Sequence, residues 1–276
     1  MPLPIRNSRI KLSQGQIFWR EVGHGPALVF LHGSWEESSQ WLPLVTELGH
    51  QYHCFAPDLL GFGESKTEVK LHYSIELEVE ALAEYLEFLK LRQVYLVGHS
   101  LGAWIATSYA LRFPEQVQGL ILLAPEGLQM KQLGNRWQTA RWLLLPLTGW
   151  LLRSLQSLKR WWRIGWVERG LEQRRRFLAA RVACQLLFQR RRSEIQAESL
   201  QERLAWLQVP ALVLQGQQDH SATEVLAQVY VQQAPEGKLR VIPEAGADLL
   251  QFHAASVAQE IEEFCQQERS YSRLKD

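Results

Sequence analysis

Apolar runs rich in β-branched residues alternate with segments of helical spacing along most of this chain, the signature of a largely parallel sheet covered by helices. Strands are expected at about 16–22, 27–31, 52–56, 93–97, 119–124, 210–215 and 238–242. Between them, 38–49, 75–90, 101–113, 222–233 and 254–266 carry apolar residues at helical spacing. Glu76, Glu78 and Glu80 sit early in one of these segments, where the helix dipole favours acids. The alternation stops between about 128 and 205 and resumes at Val209-Pro210-Ala211-Leu212-Val213-Leu214. The intervening stretch is helical, rich in tryptophan and basic, with no strand candidate. The expected organisation is therefore an α/β core built from residues 1–127 and 206–276, its mostly parallel central sheet flanked by helices, with a helical cap over 128–205 inserted after one strand.

The overall charge of +1 conceals a strong segregation. Residues 131–192 hold 15 Lys and Arg against only Glu168 and Glu172, a balance of +13, so the rest of the chain carries −12. A cationic stretch on an acidic body points to an anionic partner for that stretch. The start, Met1-Pro2-Leu3-Pro4-Ile5-Arg6, lacks the apolar region of a secretory signal. No apolar run reaches the roughly 20 residues that span a bilayer. Cys54, Cys184 and Cys265 are odd in number and widely spaced, which suggests neither a disulfide framework nor a zinc site. An intracellular protein without a metal is expected.

The chemistry concentrates after Gln93-Val94-Tyr95-Leu96-Val97, a buried-strand pattern that runs directly into Gly98-His99-Ser100-Leu101-Gly102 and then into helical Ala103-Trp104-Ile105-Ala106-Thr107. This is G-x-S-x-G in the strand–turn–helix context that a nucleophilic serine requires. The glycines allow a sharp, strained turn in which neighbouring side chains would collide. Such a turn lifts the Ser100 hydroxyl above the sheet and sets the Leu101 N–H where it can stabilise an oxyanion.

Two further segments complete a resemblance to the α/β-hydrolase fold superfamily, of the serine esterase and lipase type. Val29-Phe30-Leu31-His32-Gly33-Ser34-Trp35 resembles the strand and His-Gly loop that supply the second oxyanion N–H, which falls by position on Ser34. Ala56-Pro57-Asp58-Leu59-Leu60-Gly61-Phe62-Gly63-Glu64-Ser65 is similar to the D-x-x-G-x-G-x-S segment of that fold, and no chemistry is assigned to it. The resemblance covers residues 16–127 and 207–267.

It also implies an acid and then a histidine after the nucleophile. Val213-Leu214-Gln215-Gly216-Gln217-Gln218-Asp219 ends a strand in G-x-x-D, making Asp219 the acid, with Glu126 a weaker substitute. The histidine is expected in a pattern like I-P-x-x-G-H, but the chain reads Ile242-Pro243-Glu244-Ala245-Gly246-Ala247. Ala247 therefore stands where the base belongs, and a serine at its free pKa is a poor nucleophile. His253 and His220 are distant substitutes, while His99 and His32 lie inside the motifs themselves. The retained Ser100, Asp219, Gly33 and Gly102 favour replacement of a histidine in an otherwise intact triad over the drift of a protein that has lost catalysis.

Six of the 11 tryptophans, Trp137, Trp142, Trp150, Trp161, Trp162 and Trp166, fall in the insertion. Trp142-Leu143-Leu144-Leu145-Pro146-Leu147-Thr148-Gly149-Trp150-Leu151-Leu152 is apolar around most of a helix, as suits an interfacial helix facing anionic lipid. Arg174-Arg175-Arg176 and Arg190-Arg191-Arg192 match phosphates of either lipid or nucleic acid, and the leucine stretch favours lipid. Trp35, His99, Trp142 and Trp150 are the candidate substrate contacts. A cap of this kind resembles those of lipases and esterases acting on water-insoluble esters, chlorophyll dephytylases among them. The reading is a cofactor-free serine hydrolase of a hydrophobic, membrane-associated ester, impaired at Ala247. The alternative is a non-catalytic receptor of a hydrophobic ligand on the same fold.

Overall fold

The computed structural model describes residues 3–67, 71–129, 137–157, 165–246 and 248–275. Its contacts divide the chain into two compact units, one formed by Met1–Leu128 with Ser199–Asp276 and the other by Gln129–Glu198.

The first unit is built on strands β1 (Arg6–Lys11), β2 (Gln16–Gly23), β3 (Ala27–Leu31), β4 (His53–Pro57), β5 (Val94–His99), β6 (Val117–Leu123), β7 (Ala211–Gly216) and β8 (Gly237–Ile242). They form one sheet in the order β1-β2-β4-β3-β5-β6-β7-β8. β1 and β2 pair antiparallel, as do β2 and β4, and every other pairing is parallel. Seven of these strands follow the expected apolar runs. The eighth, β1, is Arg-Asn-Ser-Arg-Ile-Lys, an exposed edge strand held by its ladder to β2 rather than by apolar burial. Charge on an edge strand also discourages pairing with other chains.

Helices α1 (Leu42–Leu48), α2 (Ile75–Phe88) and α3 (Leu101–Arg112) belong to the first half of this unit. β5 is buried from Val94 to Gly98 because both of its faces are covered. Tyr95 and Val97 join Leu28, Phe30, Ile121, Leu123, Leu212 and Leu214 in a core that includes Leu44 and Leu48 of α1. Helix α3 is buried from Leu101 to Ala110, so it can carry apolar residues on every side.

The chain places β3 and β5 side by side although β4 intervenes in sequence, so the strand order reverses there. Ligand crevices of parallel sheets form at such a switch point, outside the carboxyl ends of the strands. Residues 32–35 leave β3 at that end, and Ser100 leaves β5 beside them. The turns after β7 and β8 open at the same end because those strands run parallel to β5 and β6.

The described part of the second unit contains α4 (Gln138–Leu144), α5 (Pro146–Ser157), α6 (Gly165–Ala179), α7 (Arg181–Cys184), a π-helical turn at Gln185–Gln189 and α8 (Arg192–Ala197). Leu143 of α4 and Leu152 of α5 are buried, and Gly170 of α6 lies against both, with a Cβ there 3.6 Å from Leu152. Trp137 stacks on Phe188 at 5.3 Å between ring centres. The Arg190–Glu198 ion pair is largely buried within the unit. Trp161 and Trp162, two of the tryptophans counted above, lie outside the described residues. Helices α9 (Ser221–Gln233), α10 (Leu249–Phe252) and α11 (Ala254–Lys275) complete the first unit. No described helix is long and apolar enough to cross a membrane.

Candidate active site

Ser100 sits between β5 and α3 with φ 51° and ψ −109°, a conformation costly for a residue with a Cβ. The surrounding backbone fixes it there. Its N–H donates to the Leu123 carbonyl at 2.9 Å, and its own carbonyl accepts from Ala103 N–H at 3.1 Å, Trp104 N–H at 3.3 Å and Glu126 N–H at 3.3 Å. Two glycines make the turn possible: a Cβ at position 98 would lie 2.5 Å from the Ala103 Cα, and one at 102 would lie 2.0 Å from the Leu31 carbonyl oxygen. The Ser100 hydroxyl has no hydrogen-bond partner among the described residues. Neither do the N–H groups of Ser34 and Leu101, the two donors expected to form the oxyanion hole. Glu126 enters through its backbone, its N–H holding the turn and its carbonyl accepting from the Tyr230 hydroxyl.

One residue that links these parts carries no signal in the sequence. Gln40, in the short turn Ser38–Trp41, accepts the Gly33 N–H at 3.0 Å, and its amide nitrogen lies 3.2 Å from Nδ1 of His99. Since Gly33 requires the amide oxygen, the NH₂ group faces His99 and donates. His99 is thereby set as the tautomer with its proton on Nε2. Burial first, and then the neighbouring His32, bring its pKa down to about 4. Gln40→Leu is expected to cost ~1–3 kcal/mol by leaving the Gly33 N–H without a partner. A melting temperature equal to that of the unaltered chain would contradict that role.

His32 and His220 also have ring nitrogens committed to the backbone. His32 is fully buried, with Nδ1 donating to the Gly33 carbonyl at 2.8 Å and Nε2 accepting from Leu59 N–H at 2.9 Å. Burial lowers its pKa to about 4, outweighing the Gly33 carbonyl and Asp58, which raise it. His220 caps α9 by accepting Ala222 N–H at 3.2 Å, and His253 ends α10 with its carbonyl accepting Val257 N–H at 3.0 Å. The Asp58 segment is a structural knot: the carboxylate accepts Ser38 N–H at 2.6 Å and Glu64 N–H at 2.7 Å.

Asp219 closes a turn after β7, its carboxylate accepting Gly216 N–H at 2.9 Å. Its pKa is raised, chiefly by burial and also by Asp248, against the opposing Gly216 N–H. It lines a cavity of about 310 Å³ together with His99, Ala124, Leu214, Gly246 and Asp248. Ala247 itself lies outside the described residues, while both of its chain neighbours are in that cavity wall. Asp248, a second acid in this wall, carries no motif in the sequence that would mark it. Trp35 is 41% exposed next to Ser34, and Trp142 and Trp150 are exposed on the second unit.

A mostly parallel sheet with a strained serine at its switch point and an acid two strands along is the arrangement of an α/β hydrolase fold. The chain belongs to the α/β hydrolase fold family, whose model matches residues 26–254. It is 34% identical over 117 residues to the 2-hydroxy-6-oxo-2,4-heptadienoate hydrolase of Pseudomonas putida, which is 40% of this chain and 41% of that protein. It is 30% identical over 135 residues to the 1-acylglycerol-3-phosphate O-acyltransferase ABHD5 of Mus musculus, 46% of this chain and 38% of that protein. The matched stretches thus span well under two thirds of these relatives. Among solved structures, that of a bacterial membrane phospholipase A superposes with a TM-score of 0.74 at 21% identity, over 96% of this chain and 87% of that one. At that identity the likeness is one of fold.

Proposed function

We propose that this chain has the machinery of a carboxylic ester hydrolase working through an acyl-enzyme at Ser100, held inactive because Ala247 occupies the place of the base. The observation that carries the reading is Ser100 itself, kept at φ 51° with an unpartnered hydroxyl. A strained, unpartnered serine is costly and is expected where it does chemistry. With an imidazole at position 247, Oγ would pass its proton to the ring and attack the ester carbonyl carbon. The resulting oxyanion would be held by the N–H groups of Ser34 and Leu101. Collapse would expel the alcohol with the ring's proton, and water would then hydrolyse the acyl-enzyme in the same way, with Asp219 orienting the ring throughout.

The substrate in this reading is a hydrophobic ester. Leu123, Leu214 and Leu249 in the cavity wall support it, as does the acylglycerol substrate in the name of the mouse relative. The Trp- and Leu-rich helical insertion, read as a cap, narrows the proposal to a lipid or isoprenoid ester such as the phytyl ester of chlorophyll. Trp35, His99, Trp142 and Trp150 are the side chains assigned to substrate contact.

A fluorophosphonate probe tests the nucleophile separately from turnover. Labelling is expected to be weak or absent in the present chain, to appear in Ala247→His, and to vanish when Ser100→Ala is added; labelling of another residue in Ala247→His would sink the assignment. A second reading is favoured by one observation, the cavity of about 310 Å³ with Leu123, Leu214 and Leu249 in its wall. In that reading the fold holds a hydrophobic ligand without converting it, and Ala247→His gains no activity.

A further inference from the structure

The surface of the second unit carries an exposed apolar corner whose leucines the ester-hydrolase chemistry leaves unused, beside Trp142 and Trp150. Around the junction of α4 and α5, Trp142, Leu145, Leu147, Trp150 and Leu151 are each at least 44% exposed, with Leu147 reaching 74%. On α5, Leu147, Trp150 and Leu151 share one stripe, since residues three and four apart lie on the same helix face. The opposite side of α5 is the one that packs, through buried Thr148 and Leu152. The corner therefore turns an apolar face outward while a second apolar face builds the unit.

A junction between helices normally leaves carbonyls that need water, which would keep such a corner out of lipid. Here the unit supplies its own donors. The Trp142 carbonyl accepts from the Thr148 hydroxyl at 2.7 Å and Leu145 N–H at 3.2 Å. Arg174 of α6 reaches across with its guanidinium, donating to the Leu143 carbonyl and, at 2.9 Å, to the Leu145 carbonyl. Pro146 at the turn has no N–H to satisfy. Three carbonyls at the exposed apolar corner are thus paired from inside the unit.

The charge of the unit that carries it is cationic and largely uncommitted. Arg141, Arg174, Arg176 and Arg190 are bonded within the unit. Arg153, Arg169, Arg175, Arg181, Arg191 and Arg192 are exposed and have no partner among the described residues. Apolar insertion combined with unpaired arginines matches the interface of an anionic bilayer, where tryptophan rings sit at headgroup depth.

We infer that the α4–α5 corner is a wedge that inserts into anionic phospholipid membranes, with Leu145, Leu147 and Leu151 entering the acyl boundary and the arginines meeting the headgroups. The inference deepens the ester-hydrolase reading by naming the surface on which a water-insoluble substrate would be met. It is measured without turnover, so it stands or falls separately from that reading.

The test is co-sedimentation of the full chain with phosphatidylcholine vesicles, with and without phosphatidylglycerol, alongside Leu147→Ser/Leu151→Ser. Two lost leucine insertions should weaken binding to the anionic vesicles by at least about tenfold. Added salt should weaken it further, and pure phosphatidylcholine should bind poorly. Thermal melting checks that the double variant folds, and Leu145→Ser serves if it does not. Vesicle binding unchanged in the folded variant overturns the wedge, and so does equal binding to both vesicle types. A lipid-free dimer that the same variant dissociates would overturn it too, since a second copy would then cover the corner.

Discussion

Ala247→His is expected to raise hydrolysis of a chromogenic ester by at least about a thousandfold, corresponding to ~4 kcal/mol of transition-state stabilisation. His32 has both ring nitrogens bonded, and His99 has its Nδ1 occupied by Gln40 and its proton on Nε2, so neither has a nitrogen free to take the Ser100 proton. His220 is engaged in capping α9. Meanwhile Gly246 and Asp248 share a cavity wall with Asp219, which is half-buried with a raised pKa and lacks a cationic partner in that wall. An imidazole attached at 247 is expected to fill part of this cavity, one nitrogen toward Asp219 and the other toward Ser100. Adding Asp219→Asn to Ala247→His should then remove most of the gain, by about 10³–10⁴-fold if the pair works as a triad. Steady-state rates on a short-chain ester decide the matter. A rate unmoved by Ala247→His, or a present chain that already turns over esters and loses that activity on His253→Ala, means the base has been misplaced.

How much of this was legible beforehand depends on what each residue does. β5 and β7 announce themselves because both faces are buried, and burial leaves a mark in composition. β1 leaves none, since an edge strand of charged and polar residues reads as surface chain until its partner β2 is placed beside it. Ser100 is legible because its turn demands glycine on both sides within three residues. Gln40 is not, because its partners Gly33 and His99 are 7 and 59 residues away and any polar side chain could occupy a short turn. The +13 balance of residues 131–192 points to an anionic partner for that stretch. The structure spends several of those arginines on backbone carbonyls and acids, Arg174 above all, which a charge count cannot distinguish from free ones.

Glu78→Gln is expected to stabilise the protein increasingly as pH rises, by roughly 3–5 kcal/mol near pH 8. Glu78 lies on α2 with its side chain fully enclosed, one carboxyl oxygen accepting Leu60 N–H at 3.2 Å and the other without a partner among the described residues. The Tyr85 hydroxyl is likewise unpartnered, and the two residues line the same small cavity beside Leu31 and Leu59. Burial pushes the Glu78 pKa up to about 8, only partly opposed by the Leu60 N–H. The folded-state pKa is thus above the unfolded one, so whatever stability the protonated acid contributes is complete below the unfolded value of 4.5 and is lost as pH rises through about 8. Across that window the unfolded chain releases a proton that the folded chain retains, at a cost of about 1.4 kcal/mol per pH unit. Glutamine has nearly the same shape, keeps an oxygen for Leu60 N–H, and has no proton to release. The difference in stability between the two chains should therefore be small near pH 4.5 and should widen steadily up to pH 8. Urea unfolding at several pH values provides the check. A difference that stays flat with pH would mean that Glu78 ionises at its ordinary value, and hence that water reaches it in the folded protein.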